Sequence, residues 1–122
     1  MTHSSDIARQ FFDGYERALL ARDEKAMAKM YAVPSLILFP GNTIVVGDAV
    51  QTEEFFASSW SQYDGVHEID KQIGIMADAP ASIWADVTWS FQGKAQERFG
   101  YQLIEGHDCY QIAVLTPMAL GP

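Results

Sequence analysis

At 122 residues, 48% of them hydrophobic and 20% charged, the chain has the make-up of one globular domain, expected to bury roughly two-thirds of its unfolded surface without disulfide or metal support. Sixteen acidic residues against eight Lys and Arg leave a formal charge of -8, which repels phosphate backbones and anionic lipid and excludes nucleic acid and membranes as expected partners. Cys109 stands alone, the segment Met1 to Asp6 has neither a basic leader nor an apolar run after it, and no apolar stretch approaches the ~20 residues that cross a bilayer, so a cytoplasmic location is expected.

The predicted elements run helix, helix, strand, strand, helix and then four strands. Residues 5–22 place Ile7, Ala8, Phe11, Phe12, Tyr15, Ala18 and Leu19 on one helical stripe, with Ser4 or Ser5 as the cap. Asp23 caps a short second helix through Ala26, Met27 and Met30. Pro34 stops it, Ser35 to Phe39 is a strand, Pro40-Gly41-Asn42 a turn, and Thr43 to Val46 a second strand. Asp48 with Gln51 resembles a capping box and opens a third helix to about Tyr63, whose inward stripe is Phe56, Trp60 and Tyr63.

After the Asp64-Gly65 turn, Val66 to Ala77 is read as a strand with His67, Ile69, Ile73 and Ile75 on one face. Ser82 to Gln92 alternates sharply, with Ile83, Ala85, Val87, Trp89 and Phe91 on one side and Trp84, Asp86, Thr88 and Ser90 on the other. Arg98 to Glu105 and Asp108 to Thr116 form the last hairpin, with His107 in its turn and Cys109 buried. No repeat or linker divides the chain, so residues 1–122 are read as a single domain with fraying expected at 1–4 and 117–122.

Three short stretches carry a resemblance. Tyr15-Glu16-Arg17-Ala18-Leu19-Leu20-Ala21-Arg22-Asp23, Leu38-Phe39-Pro40 and Phe91-Gln92-Gly93, in this element order, are similar to the nuclear transport factor 2-like superfamily, which includes ketosteroid isomerases and SnoaL-type polyketide cyclases. The resemblance implies an α+β fold in which a cone-shaped, curved mixed or antiparallel sheet wraps around helices and leaves an apolar pocket. It also implies a cofactor-free lyase, isomerase or cyclase reaction on a small apolar carbonyl compound. In ketosteroid isomerases a tyrosine and a protonated aspartic acid form the oxyanion hole while a second aspartate moves the proton. Carried over by position, the tyrosine is Tyr15, the proton-moving base falls on Phe39 and the second acid on or near Gln102. Phenylalanine accepts no proton, so that isomerase mechanism does not operate here. A non-catalytic module that binds a ligand or a protein is the alternative.

The expected pocket is lined by Phe39, Phe56, Trp60, Val87 and Trp89, with Tyr15 and Gln102 as polar anchors, and it suits a small apolar organic molecule. Tyr15 can equally be a core tyrosine with its hydroxyl satisfied. His67 is the candidate pocket acid or base. His67, Glu68 and Asp70 do not converge on a metal, because neighbours on a strand point to opposite faces. No phosphate-cradling glycine loop, nucleophile elbow or zinc spacing is present, and no cofactor is expected. Trp84, outward when Trp89 is inward, suggests a homodimer through the outer sheet face, as the resemblance also implies.

Overall fold

The computed structural model describes residues 3–120. Three helices and six strands follow in the order α1 (Ser4–Leu20), α2 (Glu24–Lys29), β1 (Tyr31–Phe39), β2 (Asn42–Val46), α3 (Ala49–Ser59), β3 (Asp70–Ala79), β4 (Ser82–Phe91), β5 (Lys94–Glu105) and β6 (Tyr110–Pro117), with one 3-10 segment (Trp60–Tyr63) continuing α3. The strands form one mixed sheet, β2-β1-β6-β5-β4-β3, in which only the β1–β6 pair is parallel. Register shifts interrupt the β1–β6, β3–β4, β4–β5 and β5–β6 ladders, and such bulges bend strands and curl a sheet. The helices lie against the inner face of the curve.

The stripe read from the first helix is the stripe that packs: Ala8, Phe12, Tyr15, Ala18 and Leu19 are buried. Its cap is His3, which makes no side-chain capping bond, while Ser4 Oγ donates to Asp78 instead. Arg22, at φ 53, turns the chain out of α1, and Asp23 accepts from the Ala26 amide at 3.0 Å to start α2. At α3, Asp48 Oδ1 accepts from the Gln51 amide and Gln51 Oε1 accepts from the Gly47 amide, the reciprocal pattern expected of a capping box shifted by one residue.

Several boundaries differ from the sequence expectation, among them the following. β1 begins at Tyr31 and runs through Pro34, where pairing with β6 is interrupted and no ladder N–H is required. β3 begins at Asp70, not Val66, because its partner β4 ends one residue past the Asp70–Ser90 pair; the Val66 carbonyl is taken by the Arg22 guanidinium. β5 begins at Lys94, since Gln92 (φ 57) and Gly93 (φ 82) make a two-residue turn that pairs Lys94 with Phe91 at once. β6 runs one residue past Thr116: Pro117 pairs with Phe99, the Met118 amide donates to Arg98 O, and Arg98 Nη1 donates to Ala119 O. The expected fraying at Met1, Thr2, Gly121 and Pro122 lies outside the described residues. Cys109 is exposed, a correction to its expected burial, because the hairpin tip around Gly106 carries it clear of the core.

β4 alternates as read, with Ile83, Ala85, Val87 and Trp89 buried on the inner face. On edge strand β3 the inward Lys71 pairs with Asp13 at 2.7 Å and Glu16 at 3.1 Å, tying the strand to α1. Among the described residues no helix is long and apolar enough to cross a membrane.

Candidate functional site

Between α1, α3 with its 3-10 extension and the curl of the sheet lies a cavity of about 290 Å³. Its deep end is formed by side chains that are almost fully buried: Tyr15 from α1, Tyr31 from β1, Trp89 from β4 and Tyr101 from β5. Half-buried side chains form its outer part, among them Phe39, Phe55, Tyr63, Phe91, Glu97 and Phe99. Most of the wall is aromatic because consecutive rings pack on one another, Tyr15 on Trp89 at 5.6 Å and Tyr63 on Phe91 at 5.9 Å between centres. Offset and edge contacts of this kind hold each ring in place.

The deep polar atoms pair with one another. The Tyr15 and Tyr31 hydroxyls share a hydrogen bond at 2.8 Å, and Trp89 Nε1 donates to the Tyr101 hydroxyl at 3.0 Å. Burial raises the pKa of all three tyrosines, so they stay protonated donors. The Tyr15–Tyr31 pair uses one of its two hydroxyl protons, and Tyr101 acts as acceptor, so one proton of the pair and that of Tyr101 are free for a ligand.

Glu97 is the one carboxylate in the lining, which holds no Lys, Arg or His. The Tyr63 hydroxyl donates to its Oε1 at a long 3.4 Å. Burial lifts the Glu97 carboxyl above its ordinary range, and the Tyr63 bond only partly opposes this. The 3-10 segment that carries Tyr63 is strapped to the end of α1 by Arg22, whose guanidinium donates to the carbonyls of Leu20, Tyr63 and Val66.

Of the residues expected in the pocket, Tyr15, Phe39, Phe56 and Trp89 line it. Trp60 does not: it packs behind the wall on Phe56 and Tyr63, with Nε1 buried and unpaired, because the chain has left the α-helix for the tighter 3-10 period there. Val87 is fully buried in the core, one inward step along β4 from Trp89. Gln102 is corrected to the outer face, where its amide donates to Ser82 Oγ at 3.0 Å; alternation on β5 sends Tyr101 inward in its place. His67 is exposed in the connection before β3, off the strand that was expected to aim it inward. Tyr31, Glu97 and Tyr101 escaped the sequence reading, whereas Tyr63, read as inward on the third helix, reaches the cavity from the 3-10 segment. An earlier start to β5 is the signal that finds two of them, since Glu97, Phe99 and Tyr101 then alternate on one face.

Two expectations follow. Tyr15→Phe strands the buried Tyr31 hydroxyl and is expected to cost about 1–3 kcal/mol in denaturant unfolding. The Tyr15→Phe, Tyr31→Phe double variant, with both hydroxyls gone, should be no less stable than the single one; a simple sum of two losses contradicts the pairing. For Glu97 the folded pKa lies above the unfolded value, so its stabilising contribution is complete below the ordinary 4.5 and is lost as pH rises through the raised folded value. Wild type should therefore lose stability relative to Glu97→Gln over that interval, and parallel stability–pH curves would contradict the shift.

No protein-family model matches the chain, and no curated protein matches it. Solved structures do. An NTF2-like protein of unknown function from Shewanella oneidensis superposes with a TM-score of 0.70 at 15% identity, over 94% of this chain and 98% of that one. A domain of unknown function with a cystatin-like fold from Nostoc punctiforme gives 0.67 at 11% identity, over 98% of this chain and 82% of that one. A de novo designed protein with a curved β-sheet gives 0.64 at 12% identity, over 92% of this chain and 99% of that one. A designed protein among these likenesses underlines that the architecture carries no activity by itself. With its six-stranded curved sheet and three helices, the chain has the nuclear transport factor 2-like fold.

Proposed function

We propose that the chain is a ligand-binding domain whose cavity takes a small, mainly apolar organic molecule with one polar end. The observation that carries this reading is an aromatic cavity of about 290 Å³ into which a single carboxylate, Glu97, is turned. Small-molecule sites have this make-up: a concave, mostly apolar wall with a few placed polar groups.

A second reading, a cofactor-free lyase, isomerase or cyclase acting on an apolar carbonyl compound, is favoured by the free hydroxyl protons of Tyr101 and the Tyr15–Tyr31 pair. They can donate to a carbonyl oxygen as charge develops on it, while Glu97 takes a proton from the adjacent carbon. Glu97 then does from β5 what Phe39 cannot do from β1, and His67 has no part.

Thermal shift with a panel of aromatic ketones separates the readings. A ligand at 100 times its Kd should stabilise the fold by about 2.7 kcal/mol. Turnover of a bound ketone that Glu97→Gln abolishes while the shift persists supports the catalytic reading. Binding without turnover leaves the domain a binding module, and a panel without any shift counts against the pocket as a ketone site.

The outer sheet face is proposed to pair with a second copy. One transverse row, Val45, Leu36, Val114, Gln102, Trp84 and Ala77, crosses all six strands as mutual register partners and is apolar but for Gln102. Charge on this face is balanced locally, since Arg98 pairs with Asp86, so two chains of like charge can approach there. Light scattering should give twice the chain mass, falling to the monomer value in Trp84→Glu; a monomeric wild type rules the pairing out.

A further inference from the structure

Glu97 faces the cavity without a counter-charge. Among the described residues the ion pairs lie elsewhere, Lys71 with Asp13 and Glu16, and Arg98 with Asp86 on the outer face. Arg22 is packed against Tyr63, but it spends its guanidinium on backbone carbonyls and stands 5.9 Å from the centre of the Tyr63 ring. What surrounds the Glu97 carboxylate is aromatic. Trp89 is its direct register partner on β4, Phe99 is the next inward residue on β5, and Tyr63 reaches it with its hydroxyl and packs on Phe91.

A carboxylate set among aromatic side chains in one cavity wall is the chemistry that recognises an organic cation. A cation that reaches the face of such a ring meets the negative part of its quadrupole, and the carboxylate adds a full charge. A neutral ligand that drives water from this part of the cavity leaves Glu97 desolvated and uncompensated, whereas an ammonium compensates it as water leaves. Burial lifts the Glu97 carboxyl above its ordinary range, and no cationic side chain lines the cavity to oppose it. The formal charge of -8 adds a long-range field that draws cations towards the chain and repels anions.

We infer that the ligand is an organic ammonium, a small amine or quaternary ammonium compound whose cationic head sits between Glu97 and the rings of Tyr63, Phe91 and Trp89, with its apolar part towards Tyr15 and Tyr101. This rests on the reading of the cavity as a ligand site and replaces the ketone by a cation as its occupant.

The test is a pair of probes of one shape, benzyltrimethylammonium and its uncharged carbon analogue neopentylbenzene, titrated into wild type and Glu97→Gln by calorimetry and Trp fluorescence. Wild type is expected to bind the cation at least about tenfold more tightly than the neutral probe, a preference that Glu97→Gln removes. The variant retains every other acidic residue, so attraction to the surface alone would survive in it; a preference that persists there overturns the role given to Glu97. Equal or tighter binding of the neutral probe by wild type overturns the cation assignment and leaves the cavity as a site for uncharged ligands. Binding of neither probe overturns both this inference and the pocket reading beneath it. The wild-type comparison stands whether or not the variant folds, and circular dichroism establishes that the variant does.

Discussion

The ring of Phe12 joins the two layers of the molecule. It lies 4.9 Å from Tyr101 and 6.1 Å from Trp89, and it is fully buried between the first helix and the middle of the sheet. Once α1 is held there, the helical repeat decides what comes next: Tyr15 lands beside Trp89 and Tyr31, and Leu19 a turn later reaches the cavity wall. The bulged strands curve away from this fixed point, and the unfilled volume lies where the curve and the helices part. Stability and ligand space thus share one set of rings, so a substitution deep in the core also reshapes the cavity.

Polarity is graded along the cavity. In its depth, hydroxyl meets hydroxyl and indole meets hydroxyl, and the pairs are neutral. Further out stands one charged group with one long hydrogen bond. Deep neutral pairs give shape and direction without the cost of a buried charge, while a half-exposed carboxylate keeps part of its hydration until something displaces it. The Trp60 indole and the Ser35 and Thr52 hydroxyls are buried with no protein hydrogen-bond partner among the described residues.

Periodicity made part of this legible. The α1 stripe and the alternation of β4 were both readable, because a long run of one period survives an error of a residue at either end. The caps at Asp23 and Asp48 were readable for a local reason, the side chain bonding an amide three residues away. The polar side of the cavity was not. Starting β5 at Arg98 left Glu97 off the strand, and a register placed one residue too far exchanged inward Tyr101 for outward Gln102. His67 was misplaced because a ladder lasts only as long as its partner, and β4 has no residue to offer opposite it. Tyr31 fell in a stretch read as the end of a helix before a proline, where local signals oppose a strand that tertiary pairing imposes.

Lys71 has a bearing on how the protein behaves in a crowded solution. β3 is an edge of the sheet, with one row of backbone groups not used by β4, and such edges invite pairing with strands of other chains. Lys71 sits in that strand pointing inward, only 10% exposed, its charge answered by Asp13 and Glu16 from the helix above. A strand added along the open edge of β3 would cover this cation and its two carboxylates and take them further out of water. The same contact that fastens the helix to the sheet thereby guards the open edge against aggregation.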